Sequence, residues 1–250
     1  MIQDAFHVEP LLSMTRRLTL DDSYRPDDDI KLFLQSEFDE IKKNHPLRNL
    51  LPPEWPSDSE IVCLVQKSSG QFIYTSTVMK YLVSPYHWPT DRLDIIFGLS
   101  NPGINTPFAE LDALYIHIST VKNIKSAFEI VGFLLLRPDN YMRTETGSQL
   151  VTPQLIAPAP RLLEDLFFLR HGDIYIVLSD LDSIMHIPAP DTNSTSSMIH
   201  IFHVSLGDFL LDKSRSATFY IEAGNAHANF TQYFLKHLSK TDLSMSKGHI

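Results

Sequence analysis

Apolar residues along this chain recur mainly at three- and four-residue intervals, the period of an amphipathic helix, and only short stretches alternate as strands do. The first firm helix starts near Asp27, where Ile30, Phe33, Leu34, Phe38 and Ile41 fall on one face. Acids crowd its first turn and Lys42-Lys43 its last, which suits the helix dipole, and Pro46 stops it. Leu51 to Pro56 reads as an extended connector. Ser57 and Glu60 then stand at capping-box spacing and open a helix through Val62 and Val65 that closes at Gly70. Further helices are expected over Phe72 to Val83 and Thr90 to Phe97, the second stopped by Gly98. Thr106 with Pro107 starts another, burying Phe108, Leu111, Leu114, Tyr115 and Ile118. Asn123 caps one more, with Ile124, Phe128, Val131, Leu134 and Leu135 inward. Up to Pro138 the pattern is that of a helical bundle.

Residues 138–160, with Pro138, Gly147, Pro153, Pro158 and Pro160, read as a flexible loop, and the grammar then changes. Pro160 opens a helix through Leu163, Leu166 and Phe167. Gly172-Asp173 starts a second that continues to Ile184, with Ile174, Val177, Leu178, Leu181 and Ile184 in register. Met185 to Ile187 and Met198 to His203 look like two strands joined by the loop Pro188 to Ser197. Two helices followed by a hairpin is the order of a winged helix-turn-helix. Ser205 reads as the N-cap of a helix over Leu206 to Leu211, a last helix covers about Ala226 to Leu238, and a polar tail starts at Ser239. At the other end, Leu18 and Leu20 suggest a brief strand or an extended link. No internal repeat shows solenoid spacing. The expected fold class is therefore mainly α, a helical bundle followed by a winged-helix domain with a small β-hairpin.

Composition narrows the classes. The chain has 250 residues, enough to bury a substantial core, with 43% hydrophobic and 20% charged residues. A formal net charge of -9 disfavours nonspecific nucleic-acid binding and attachment to anionic membranes. The start Met1 to His7 lacks the basic and apolar regions of a secretory signal. The longest near-apolar runs, such as Ile130 to Leu136, fall far below the ~20 residues of a membrane span, so a cytoplasmic location is expected. Cys63 is the only cysteine, which rules out an internal disulfide and a thiolate metal cluster. Between Ile61-Val62 and Leu64-Val65 it reads as a small buried hydrophobe.

The chemistry an enzyme would need is mostly missing from the pattern. A phosphate loop requires G-x-x-x-x-G-K-[ST], and none of the nine glycines precedes a lysine. Lys67-Ser68, Lys125-Ser126 and Lys213-Ser214 lack the loop, and Asp21-Asp22, which imitates a magnesium-holding pair, better caps a turn. Eleven histidines invite a metal reading. His200 and His203, however, point to opposite faces of a strand, and neither H-E-x-x-H nor zinc spacing occurs, so no metal site is expected. Ser205 is not in a G-x-S-x-G elbow, and a hydrolase would require it to meet a histidine and a carboxylate in one pocket. Asp180 and Asp182 read as a solvated face rather than an acid–base pair. Asp173, Asp180 and Asp182 also leave the second helix of the winged segment acidic, which opposes docking on DNA.

Five blocks, taken in order, carry a resemblance: Arg25 to Leu34, Ser68 to Val78, Pro89 to Leu99, Thr106 to Tyr115, and His203 to Leu210 within Ile199 to Asp212. Together they resemble the C-terminal portion of NACHT domains of mushroom-type fungi, members of the STAND class of signalling NTPases. The resemblance covers nearly the whole chain and implies a remnant of the nucleotide-binding subdomain over 1–26, a helical lid over 27–137, the loop 138–160, a winged helix over 161–240 and a polar tail over 241–250. It implies a switch in which ADP holds the lid and winged helix on the nucleotide-binding core and ATP releases them. His203 is similar to the family histidine that contacts the ADP phosphates, and Gly70 and Phe72 resemble the lid motif beside the adenine. The plainer alternatives are a histidine closing a strand, and a helix-ending glycine followed by a core aromatic. Because the family's phosphate loop, magnesium aspartates and sensor arginine have no counterpart here, the expectation is a truncated, non-enzymatic regulatory module of a signalling or self/non-self recognition ATPase. That module has vestigial nucleotide contacts and no cofactor of its own, since ADP or ATP belongs to full-length relatives. The partner expected is a protein or an intact NACHT relative, with no nucleic acid and no membrane, and the oligomeric state is left open. The alternative is a winged-helix regulator that works through proteins or DNA without nucleotide.

Overall fold

Three aspartates in the first turn, proline at its start and Lys42-Lys43 in the last turn set the limits of α1 (Pro26–Asn44), which buries Ile30, Leu34, Phe38 and Ile41. The computed structural model describes residues 25–99, 108–120, 124–136, 159–188 and 198–245, and all structural statements concern these. Phe38 meets Trp55 of the connector edge-on at 5.2 Å. The capping box then forms as its spacing predicts. Ser57 Oγ accepts from the Glu60 amide at 3.3 Å, and the Glu60 carboxylate accepts from the Ser57 amide at 2.6 Å. That cap fixes the rotation of α2 (Asp58–Ser68), so Ile61 and Leu64 turn inward. Val62 is exposed and Val65 half-buried, and Cys63, expected to be a small buried hydrophobe, is only half-buried.

Helix α3 (Phe72–Leu82) lies at the centre of the first half, against α1, α2, α4 (Pro89–Gly98) and α5 (Ala109–Ile118). Leu111, Leu114, Tyr115 and Ile118 of α5 are buried as expected. Phe108 is not: it stays exposed and carries the Arg215 guanidinium 5.1 Å from its ring centroid. Helix α6 (Ile124–Leu136) buries Ala127, Ile130, Val131, Leu134 and Leu135, with Phe128 partly covered.

In the second half α7 (Pro160–Leu166) buries Leu163 and Leu166, and Phe167 follows them into the core. The long helix expected from Asp173 to Ile184 breaks up. It is α8 (Asp173–Val177) followed by a 3₁₀ turn over Ser179–Leu181. The apolar spacing explains the break. Ile174, Leu178, Leu181 and Ile184 are all buried, and the last two steps of three residues suit three residues per turn. The bonds follow, with Leu181 N–H on Leu178 O at 2.9 Å and Ile184 N–H on Leu181 O at 3.0 Å.

Two short strands pair antiparallel, β1 (Met185–His186) and β2 (His200–Ile201), with Met185 opposite Ile201 and His186 opposite His200. They are shorter than expected. Met185 and Ile201 face the core, so His186 and His200 share the solvent face. Next come α9 (Ser205–Leu210), α10 (Lys213–Ser216) and α11 (Ala223–Met245). Ser205 is the first helical residue rather than the cap, and no side chain caps α9. Helix α11 begins before the expected Ala226 and continues past Leu238 through part of the segment read as a polar tail.

The fold is thus mainly helical, with eleven α-helices and one two-stranded antiparallel sheet among the described residues. One continuous apolar core runs from Ile30 of α1 to Phe230 of α11. No helix among those residues is long and apolar enough to cross a membrane. The segment holding Asp21-Asp22, the caps at Thr106 and Asn123, most of the loop 138–160 and the hairpin tip lie outside the described residues.

Candidate functional site

Chain geometry at the end of β2 brings His203 back onto the start of α9. The Ser205 backbone N–H donates to His203 Nδ1 at 3.1 Å, so this nitrogen is unprotonated and the neutral ring carries its proton on Nε2. The Ser205 hydroxyl lies 2.8 Å from the same nitrogen and 2.8 Å from the hydroxyl of Tyr115 on α5. With Nδ1 able only to accept, the order is Tyr115 O–H to Ser205 Oγ–H to His203 Nδ1. Burial raises the Tyr115 phenol above its usual 10.0, which keeps the first donor protonated. Thr77 of α3 adds a side-chain bond to the same phenol. Tyr115 and Ser205 are buried while His203 is exposed, and Nε2 has no partner among the described residues. A buried relay therefore fixes the tautomer of a surface imidazole and leaves a single N–H donor for an acceptor outside.

A second link ties the same two parts of the chain. Asp112 of α5, nearly inaccessible, accepts both arms of the Arg215 fork from α10, Nη2 on Oδ1 at 2.7 Å and Nε on Oδ2 at 3.1 Å. The bond to Asp112 holds the Arg215 guanidinium above its usual range. The α9–α10 segment is thereby pinned to α5 by one neutral relay and one charged fork.

Gly70 and Phe72 lie elsewhere. Gly70 ends the α2 turn with φ +75°, and a Cβ there would stand 3.4 Å from Pro26. Phe72 opens α3 and packs edge-on against Phe33 at 5.9 Å, remaining partly exposed. Both have local packing roles, and no described hydrogen bond or ring contact joins them to His203.

The structure gathers a further polar cluster that sequence reasoning missed. Arg92 of α4 places its guanidinium 4.1 Å from the Tyr81 ring centroid, donates to the Tyr81 carbonyl and reaches His87 Nδ1 at 2.9 Å. The Tyr81 hydroxyl meets His117 Nε2 at 2.8 Å. Burial and then Arg92 hold both His87 and His117 below the usual 6.5. The charges of Asp180, in the 3₁₀ turn, and Asp182, just after it, oppose that shift at His87. Asp182 is exposed as a residue, yet crowding around its carboxyl raises it above 3.8 against the pull of Arg92. Only the solvated-face reading of Asp180 and Asp182 was accessible in the sequence, because Arg92 stands on a distant helix.

The Ser205–His203 contact also bears on hydrolysis. In a Ser-His-Asp triad a carboxylate holds the base's other ring nitrogen, and here no carboxylate meets Nε2 of His203 among the described residues. Ser205 is moreover buried beneath Tyr115. Among the described residues no three His, Cys, Asp or Glu side chains gather as a metal site. Comparison with protein-family models, curated proteins and solved structures finds no match to this chain.

Proposed function

We propose that this chain is a regulatory module similar to the lid and winged helix of a fungal NACHT-type switch ATPase, without catalytic competence of its own. In this reading α1–α6 correspond to the lid, and α7–α11 up to residue 240, with the β1–β2 hairpin, to the winged helix. The observation that carries it is the Tyr115–Ser205–His203 relay. It holds the exposed imidazole as an outward N–H donor, the form suited to a phosphate oxygen, and couples it to α5. The sequence carries no G-x-x-x-x-G-K-[ST] loop to join it, so in this reading the donor alone gives no grip on a triphosphate. Gly70 and Phe72 belong to the same reading only as vestiges of the adenine side. The module would act in the cytoplasm by packing against an intact nucleotide-binding relative or another protein.

The winged-helix alternative acting on DNA is disfavoured by α8, which has five residues and no basic side chain. Calorimetric titration of the purified chain with ADP and with ATP tests the proposal. No saturable heat is expected, and His203→Ala is expected to change nothing in that titration. Nucleotide that stays with the protein through gel filtration would overturn the reading.

A further inference from the structure

We infer that His186 and His200 form a two-imidazole site for a borderline d-block dication, Cu2+ or Zn2+, on the solvent face of the β1–β2 ribbon. The two residues are direct cross-strand partners. Their neighbours Met185 and Ile201 point into the core, and the pleat therefore turns both imidazoles to the same exposed side. Their ring centroids stand 4.9 Å apart with the planes inclined at 36°. Two imidazoles bound to one ion through nitrogens at about 2.0–2.1 Å would hold their centroids roughly 4.5–5.2 Å apart, for bond angles between right and tetrahedral. The pair thus already stands at chelating separation on a backbone whose register is set by core packing. Water completes the coordination at an exposed position.

The surroundings decide which ion fits. Neutral nitrogen donors without a carboxylate favour Cu2+ and Zn2+ over Ca2+ or Mg2+, and Cu2+ over Zn2+. Lys80 opposes any cation. Its ammonium lies 4.1 Å from the Phe202 ring centroid, and that ring meets His200 edge-on at 5.7 Å. The sequence rejected a metal at His200 because it considered His203 as partner. The proper partner sits across the hairpin, beyond the reach of local spacing.

The full chain, titrated with Cu2+ and separately with Zn2+ in a non-chelating buffer at pH 7.5, provides the test. His186→Asn and His200→Asn are each expected to weaken the strongest binding at least about tenfold. Lys80→Met is expected to tighten it by about two- to fivefold. Substoichiometric Cu2+ should broaden the amide signals of residues 185–186 and 200–201 before others. Unchanged isotherms in both histidine variants, or broadening centred on other histidines, would overturn the assignment. Because both side chains are exposed, circular dichroism of the variants should match the parent chain, and the broadening experiment stands without any variant.

Discussion

Ser205 contributes more to the buried interior than its size suggests. Its hydroxyl is the middle of the chain from Tyr115 to His203, and Ser205→Ala takes from the buried Tyr115 hydroxyl one of its two side-chain partners, leaving Thr77. The expected loss is about 1–3 kcal/mol of unfolding free energy, measured by urea denaturation. Tyr115→Phe in the same background should recover part of it, since both ends of the bond are then gone. A loss no larger than that of an exposed serine substitution would show the relay to be unimportant. In the sequence Ser205 carries the mark of an N-cap, and the local His203 contact two residues away accords with a turn. Tyr115 lies 90 positions earlier, so no local rule could join them. His203 was legible as a residue of interest; the tautomer that makes it a donor was not.

At the scale of elements, local chemistry was the most legible. The capping box at Ser57, the dipole-matched ends of α1 and the stop before Pro46 all act within one or two turns, and all formed. Less legible was a face chosen by a distant partner: Phe108, expected to be buried, stays outside under Arg215. The break after α8 was written in the three-residue apolar steps, but an average helical period conceals such a shift. The Asp112–Arg215 fork is the clearest inter-element bond to remove. Arg215→Met strands a nearly inaccessible carboxylate and is expected to cost about 3 kcal/mol, whereas pairing it with Asp112→Asn should cost less. Additive losses in that cycle would mean that the two groups do not depend on each other.

Across the whole molecule, acid sensitivity follows from histidines held neutral. His87, His117 and His186 all lie below 6.5, each mainly through burial, with Arg92 acting on the first two and His200 and Lys80 on the third. A depressed folded value means that the unfolded chain binds more protons as pH drops below about 6.5. The stability from these groups is complete above that pH and is lost as pH falls through the folded values. Asp180 and Asp182 moderate this at His87, and Asp182, raised above 3.8, works in the opposite sense in a more acidic window. Urea midpoints at pH 7.5, 6.5 and 5.5 should therefore decline, and a constant or rising midpoint would contradict the assignment.

The return of α11 to α6 and α7 has a consequence for biogenesis. Tyr233 donates to Glu129 at 2.9 Å across 104 positions, and Phe230 covers Phe133 at 5.2 Å between ring centroids. On the ribosome, α6 emerges long before the helix that shields it. The nascent chain must carry that greasy flank uncovered while roughly 90 further residues are made, an interval in which exposed apolar surface favours misassociation.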